Sequence, residues 1–138
     1  MSGLEFVRAM IGREPRLRLA ELLSFTVTEA EEGRVVFVLT PTEDVYNPIG
    51  SVHGGVIATL CDSALGCAVQ TMCPPGVGYT SLEVKVNFLR KVTVDTGALR
   101  CEGIVRSFGS RTATASADVT DPAGRLVATA ATTCLVLR

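Results

Sequence analysis

One run of this chain gathers most of the residue types that could do chemistry: Asn47-Pro-Ile-Gly50-Ser-Val-His53-Gly54-Gly55-Val-Ile-Ala-Thr-Leu-Cys-Asp62. If Gly54 and Gly55 open a helix, their backbone N–H groups lack intrahelical acceptors and carry partial positive charge. Without side chains in the way, a ligand oxygen can approach those donors closely. Such donors would polarise a carbonyl and hold the oxyanion formed when it is attacked. Asp62, seven residues beyond Gly55, supplies a carboxylate able to take a proton from water or to attack directly. At 1.5 Å per residue the two lie roughly 10 Å apart along a helix axis. Attacking group and oxyanion donors must both reach one reacting centre, within about 3 Å. A single helix serves both poorly. Two antiparallel copies serve both well, which predicts a site shared across a dimer interface.

The surrounding pattern predicts the elements that would hold this run. Leu4, Phe6, Val7, Met10 and Ile11 fit one face of a short first helix, closed by Gly12 and Pro15. From Leu22 to Thr40 the period changes to two. Leu23, Phe25 and Val27 alternate with polar residues, Glu32-Gly33 makes a turn, and Arg34 to Leu39 returns as a second strand. Gly54 to Met72 is the one long helical candidate, with Val56, Leu60, Ala64, Ala68 and Met72 beside Ile57, Cys61, Leu65 and Val69. So wide an apolar surface predicts burial on most sides. The remaining strip holds Thr59, Asp62, Ser63, Gly66 and Gln70, and Asp62 would be costly to bury there without partners. Four strands follow, over 80–89, 98–106, 111–120 and 125–137, with Leu82, Val84, Val86 and Phe88 expected to face one way. The fold class is therefore α+β, an antiparallel sheet of about six strands wrapped around one long central helix, in a single domain over residues 1–138.

Composition removes several function classes. Thirteen Lys and Arg against fourteen Asp and Glu give a net charge of -1, and no basic run or zinc spacing suggests nucleic acid. No stretch is long and apolar enough to span a membrane, and the charged N-terminus does not read as a secretory signal. Five cysteines without a CxxC pair read as free thiols of a cytoplasmic protein. Cys61 beside Asp62 has no base at useful spacing and reads as a small buried hydrophobe. The six-residue spacing of Cys61, Cys67 and Cys73 is no metal-ligand pattern, so no metal is expected.

Asn47, Gly50, His53-Gly54-Gly55 and Asp62, followed by Thr80-Ser81-Leu82-Glu83-Val84 and Asn87-Phe88-Leu89-Arg90, resemble the PaaI-type branch of hot-dog-fold acyl-CoA thioesterases. The resemblance runs from the first helix to the last strand. It implies that Asp62 is general base or nucleophile and that the Gly55 amide polarises the thioester carbonyl. It implies further that Asn47 and His53 arrange the thioester, and that Ser81 positions water. Gly54 and Thr80 would lie against the substrate. No cofactor is implied, since coenzyme A is a product. The implied partner besides acyl-CoA is a second copy of the chain, in a dimer or a tetramer. Coenzyme A carries phosphates, for which Arg90, Lys91, Arg106 and Arg111 offer suitable cations. Two other readings fit fewer of these residues: a hot-dog enoyl-CoA hydratase or dehydratase, with His53 and Asp62 as its acid–base pair, and a non-catalytic acyl-CoA-binding module.

Overall fold

The computed structural model describes residues 1–13 and 17–138, so Pro15, one of the two expected closers of the first helix, lies outside the described residues. Helix α1 (Gly3–Ala9) starts at Ser2, whose hydroxyl accepts the Glu5 N–H while the Glu5 carboxylate accepts the Ser2 N–H. Gly12, the other expected closer, takes a positive φ of 69° just beyond it. A short helix α2 (Arg18–Leu23) precedes the hairpin of β1 (Phe25–Glu31) and β2 (Arg34–Leu39). The sequence reading extended the strand back to Leu22. In the structure Ser24 adopts the left-handed conformation, φ 56°, which ends α2 and turns the chain so that alternation begins only at Phe25.

The long helix is α3 (Gly54–Thr71), and the remaining strands are β3 (Gly78–Phe88), β4 (Leu99–Phe108), β5 (Thr112–Thr120) and β6 (Leu126–Leu137). All pairings are antiparallel, in the order β1-β2-β4-β5-β6-β3. The sheet curls around α3, which touches all six strands. Leu60, Cys61, Ala64, Leu65, Ala68 and Val69 are completely buried, as the two apolar rows predict. Cys61 is among them, so it points into the core and away from Asp62's exposed strip. All five cysteines are free. No described helix is long and apolar enough to cross a membrane.

Close approach of sheet to helix depends on Gly103 in β4. A Cβ there would sit 2.5 Å from the Ala64 carbonyl oxygen of α3. That contact is with backbone, which cannot swing aside. We expect Gly103→Ala to lower stability by about 1–3 kcal/mol, measured as a lower urea midpoint; an unchanged midpoint would contradict the packing described.

Strand β3 departs from simple alternation. Its pairing with β6 shifts between Ser81 and Glu83, so Leu82 sits in a bulge and is 59% exposed. The Thr132 hydroxyl donates to the Glu83 carbonyl at 2.6 Å beside the irregularity. The expected one-sided set of Leu82, Val84, Val86 and Phe88 is thereby broken. Val84 and Val86 pack against the core, together with Tyr79 from before the bulge, whereas Phe88 is half exposed with its ring against Gly54. A bulge adds one residue and reverses the facing of everything on one side of it. Ser81, which strict alternation would turn away from Val84, shares its side of the sheet.

Candidate active site

A curled sheet of six strands leaves one strip of α3 uncovered between its two edges, β1 and β3. Gly55 and Asp62 are exposed on that strip, with Thr59 and Ser63 partly so, while Gly66, expected there too, is buried beneath the Tyr79 ring. Asp62 therefore carries no burial cost within one chain. The Ser81 hydroxyl donates to Asp62 Oδ1 at 3.1 Å, across from β3 to α3. This hydrogen bond is a direct consequence of the bulge at Leu82. It fixes one carboxylate oxygen; the other has no hydrogen-bond partner among the described residues.

The start of α3 is held from both sides. His53 N–H donates to the Val45 carbonyl at 2.9 Å, and Val52 N–H to the Val92 carbonyl at 2.8 Å. His53 is the N-cap, and its Nδ1 accepts the Gly55 N–H at 2.8 Å. That arrangement requires a neutral ring with its proton on Nε2. The donor expected to meet a ligand oxygen is thus occupied by the imidazole, while the Gly54 N–H has no acceptor among the described residues. Any ligand carbonyl bound at Gly55 must displace or share with His53.

Asn47 is used by its own loop. Its Oδ1 accepts the N–H groups of Ile49 and Ser51, each at 3.1 Å, and its Nδ2 donates to Ser51 Oγ at 3.1 Å. An Asn before Pro commonly organises a turn through its side chain, as here; one Nδ2 hydrogen remains available for a ligand. Thr80 is exposed and alternates with Tyr79 and Ser81, so it faces away from Asp62.

The four proposed phosphate ligands separate into two groups within a chain. Arg90 and Lys91 follow the end of β3 and border a recess of about 350 Å³ with Thr96 and Arg125. Arg111 lies at the β4–β5 turn, which the register places beside the start of β3, whereas Arg106, inside β4, is level with Glu83 and Val84 in the middle of β3. At about 3.3 Å per strand residue Arg111 is on the order of 35 Å from Arg90 along the strand direction, and Arg106 on the order of 20 Å. Arg106 also donates to Ser116 Oγ at 2.7 Å.

Sequence reasoning missed the cavity beside Asp62. It measures about 570 Å³, runs between the β1 and β3 edges, and is roofed by α1 and α2. Asp62 and Ser81 form part of its wall. Cys67 lines it too, its thiol pushed up to about 12 by burial and, less, by the nearby Asp62 charge. A thiol so protonated is no nucleophile. Among the described residues no three His, Cys, Asp or Glu side chains converge as a metal set.

Residues 49–128, from the loop before α3 into β6, match the thioesterase superfamily. The chain belongs to the thioesterase superfamily. A curated relative, the 1,4-dihydroxy-2-naphthoyl-CoA hydrolase of Listeria monocytogenes, is 31% identical over 71 residues, 51% of this chain and 58% of that enzyme. The chain thus spans a little over half the length of that relative. Among solved structures, a conserved protein from Pseudomonas aeruginosa aligns with a TM-score of 0.82 at 27% identity, covering 94% of this chain and 98% of that one. The PaaI protein of the E. coli phenylacetic acid degradation operon aligns with a TM-score of 0.80 at 23% identity, covering 88% and 86%. These alignments confirm the hot-dog fold expected of this thioesterase-family chain.

The His53 cap yields a prediction independent of any substrate. His53→Ala should lower stability by about 1 kcal/mol and accelerate hydrogen exchange at the Gly55 amide, with the Leu65 amide unaffected. Exchange at Gly55 unchanged in the variant would show that the imidazole does not hold that donor in solution.

Proposed function

We propose that this chain hydrolyses acyl-coenzyme A thioesters, in a site completed by a second copy of itself. The observation that carries the reading is the Ser81–Asp62 hydrogen bond on the one bare strip of α3, beside an apolar cavity and on the same helix as the Gly54-Gly55 start. The superfamily acts on thioesters, and the Listeria relative is named for a CoA thioester.

In this reading the thioester carbonyl oxygen replaces the His53 ring at the Gly55 N–H. A water oxygen attacks the carbonyl carbon while Asp62 of the partner chain takes its proton. The resulting oxyanion is held at Gly55, and its collapse breaks the C–S bond. The leaving thiolate recovers the proton from Asp62, giving a carboxylic acid and coenzyme A. Ser81 aims the carboxylate, His53 and the free Nδ2 hydrogen of Asn47 border the thioester, and Gly54 keeps the helix start open. Arg90 and Lys91 lead onto a recess also lined by Asp121, whose carboxylate is paired with Arg125, so in this reading Arg90 and Lys91 are the cations that meet the nucleotide phosphates. Arg106 and Arg111 reach the same nucleotide only if they come from another protomer.

Dimerisation has support in β3, an edge strand. It exposes Leu82 and Phe88, with Leu89 just beyond, at 59%, 53% and 54%. An unpaired edge carrying apolar side chains is a ready surface for another strand.

Coenzyme A release should be followed by chromatography, because five cysteines would interfere with a thiol reagent. Asp62→Ala should lower turnover at least about a hundredfold. Ser81→Ala should lower it by about tenfold, the loss of one hydrogen bond to a charged group. No release from any of a broad panel of acyl-CoAs by the folded wild type would overturn the hydrolytic reading.

A further inference from the structure

We propose that the cavity beside Asp62 is the acyl pocket, that it takes an uncharged apolar acyl group, and that Tyr79 limits how far that group extends along α3. This rests on the hydrolytic reading, and adds to it the substrate class and the residue that sets it.

The location follows from Asp62 and Ser81 lying in the cavity wall. A carbonyl carbon attacked there has its acyl substituent at the cavity's edge. The chain that supplies the carboxylate therefore also supplies the acyl pocket, while its partner supplies the oxyanion donor. The chemistry follows from the rest of the lining. Phe25 and Val27 of β1 and Phe37 of β2 face it, with the Phe25 and Phe37 rings 5.8 Å apart, centre to centre. Among the described residues the one charged lining side chain besides Asp62 is Arg13, on the exposed segment after α1. An acyl chain ending in its own carboxylate would lose its hydration against aromatic rings and sit near the like charge of Asp62.

Two measures within the fold place the limit. Gly66 lies four residues beyond Asp62 on α3, about 6 Å along the axis. Tyr79 lies two residues before Ser81 on the same side of β3, about 7 Å away. The two meet: a Cβ on Gly66 would overlap the Tyr79 hydroxyl and ring, so only glycine lets that ring lie so close to the helix. An acyl group running from Asp62 along α3 reaches the Tyr79 ring after roughly one helical turn. The ring is well packed, and burial raises its hydroxyl's pKa, so it stays neutral. The roof is pinned as well: the Gly3 N–H of α1 donates to the Cys73 carbonyl at 2.9 Å, where any Cβ on Gly3 would strike the Gln70 backbone.

The test is a ladder of straight-chain acyl-CoAs from acetyl to palmitoyl, with phenylacetyl-CoA and succinyl-CoA, assayed with wild type, Tyr79→Ala and Cys67→Phe. Turnover is read as kcat/KM. Affinity is read separately, by calorimetry in the Asp62→Ala background, where binding does not require hydrolysis. We expect the wild type to favour intermediate or aryl acyl groups over succinyl. Tyr79→Ala should move the optimum to longer chains, raising the long-to-intermediate ratio at least about tenfold, and Cys67→Phe should move it to shorter ones. If Tyr79→Ala does not fold, the Cys67→Phe shift alone decides. Unchanged length profiles in the folded variants, or a preference for succinyl-CoA, would overturn the proposal. Affinities that shift as expected without turnover by any form would keep the pocket and discard hydrolysis.

Discussion

Everything at this site depends on how tightly six strands close around one helix. The sheet can approach α3 closely because β4 carries Gly103 where any side chain would meet the Ala64 carbonyl. Once that approach is made, the helix is buried on the sides that face β2, β4, β5 and β6, and the two sheet edges stop short of each other. The uncovered strip between them is where α3 keeps exposed polar groups at no desolvation cost. Asp62 and Gly55 occupy that strip, and the cavity fills the gap. Core packing and chemistry are two faces of the same closure.

The strip becomes a site through one irregularity. A regular β3 would have turned Ser81 to the other side from Val84. The extra residue at Leu82 lets both Ser81 and the core valines face inward, so a hydroxyl reaches Asp62 at 3.1 Å. The same bulge throws Leu82 outward along an unpaired edge. A single backbone irregularity thus orients the carboxylate and equips the edge that a second chain would cover.

Much of this was legible in the sequence because it is periodic. The four-residue rows from Val56 to Met72 give α3 nearly to the residue, and the alternation in the last four strands gives their number and order along the chain. Local departures from periodicity were not legible. The bulge keeps the composition of a strand, so nothing in Leu82-Glu83 announces it. Helix α2 is short, and its N-cap Leu17 makes no side-chain cap bond, so no start signal precedes it. The cavity joins residues of β1 and β3, neighbours only because the sheet curls. Of the candidate site, Asp62 and the glycines were readable from spacing, and Ser81 from resemblance alone. That the His53 ring would occupy the Gly55 donor required the cap geometry itself. The four arginine and lysine candidates look like one group in sequence, yet the strand register sets Arg111 a full length of β3, and Arg106 about half that length, away from Arg90 and Lys91.

The central claim is that one active site draws its oxyanion donor and its carboxylate from different chains. It is tested most directly by mixing two inactive variants, Asp62→Ala and Gly55→Pro, the latter lacking the amide hydrogen. After unfolding and refolding together, mixed dimers would contain one site with an intact Gly55 from one chain and an intact Asp62 from the other. The account predicts that the mixture recovers about a quarter of wild-type acyl-CoA hydrolysis, from random pairing of two chains, while each variant refolded alone stays inactive. A mixture as inactive as its components, with mixed dimers demonstrated by mass, would place donor and carboxylate of each site in the same chain and contradict the account.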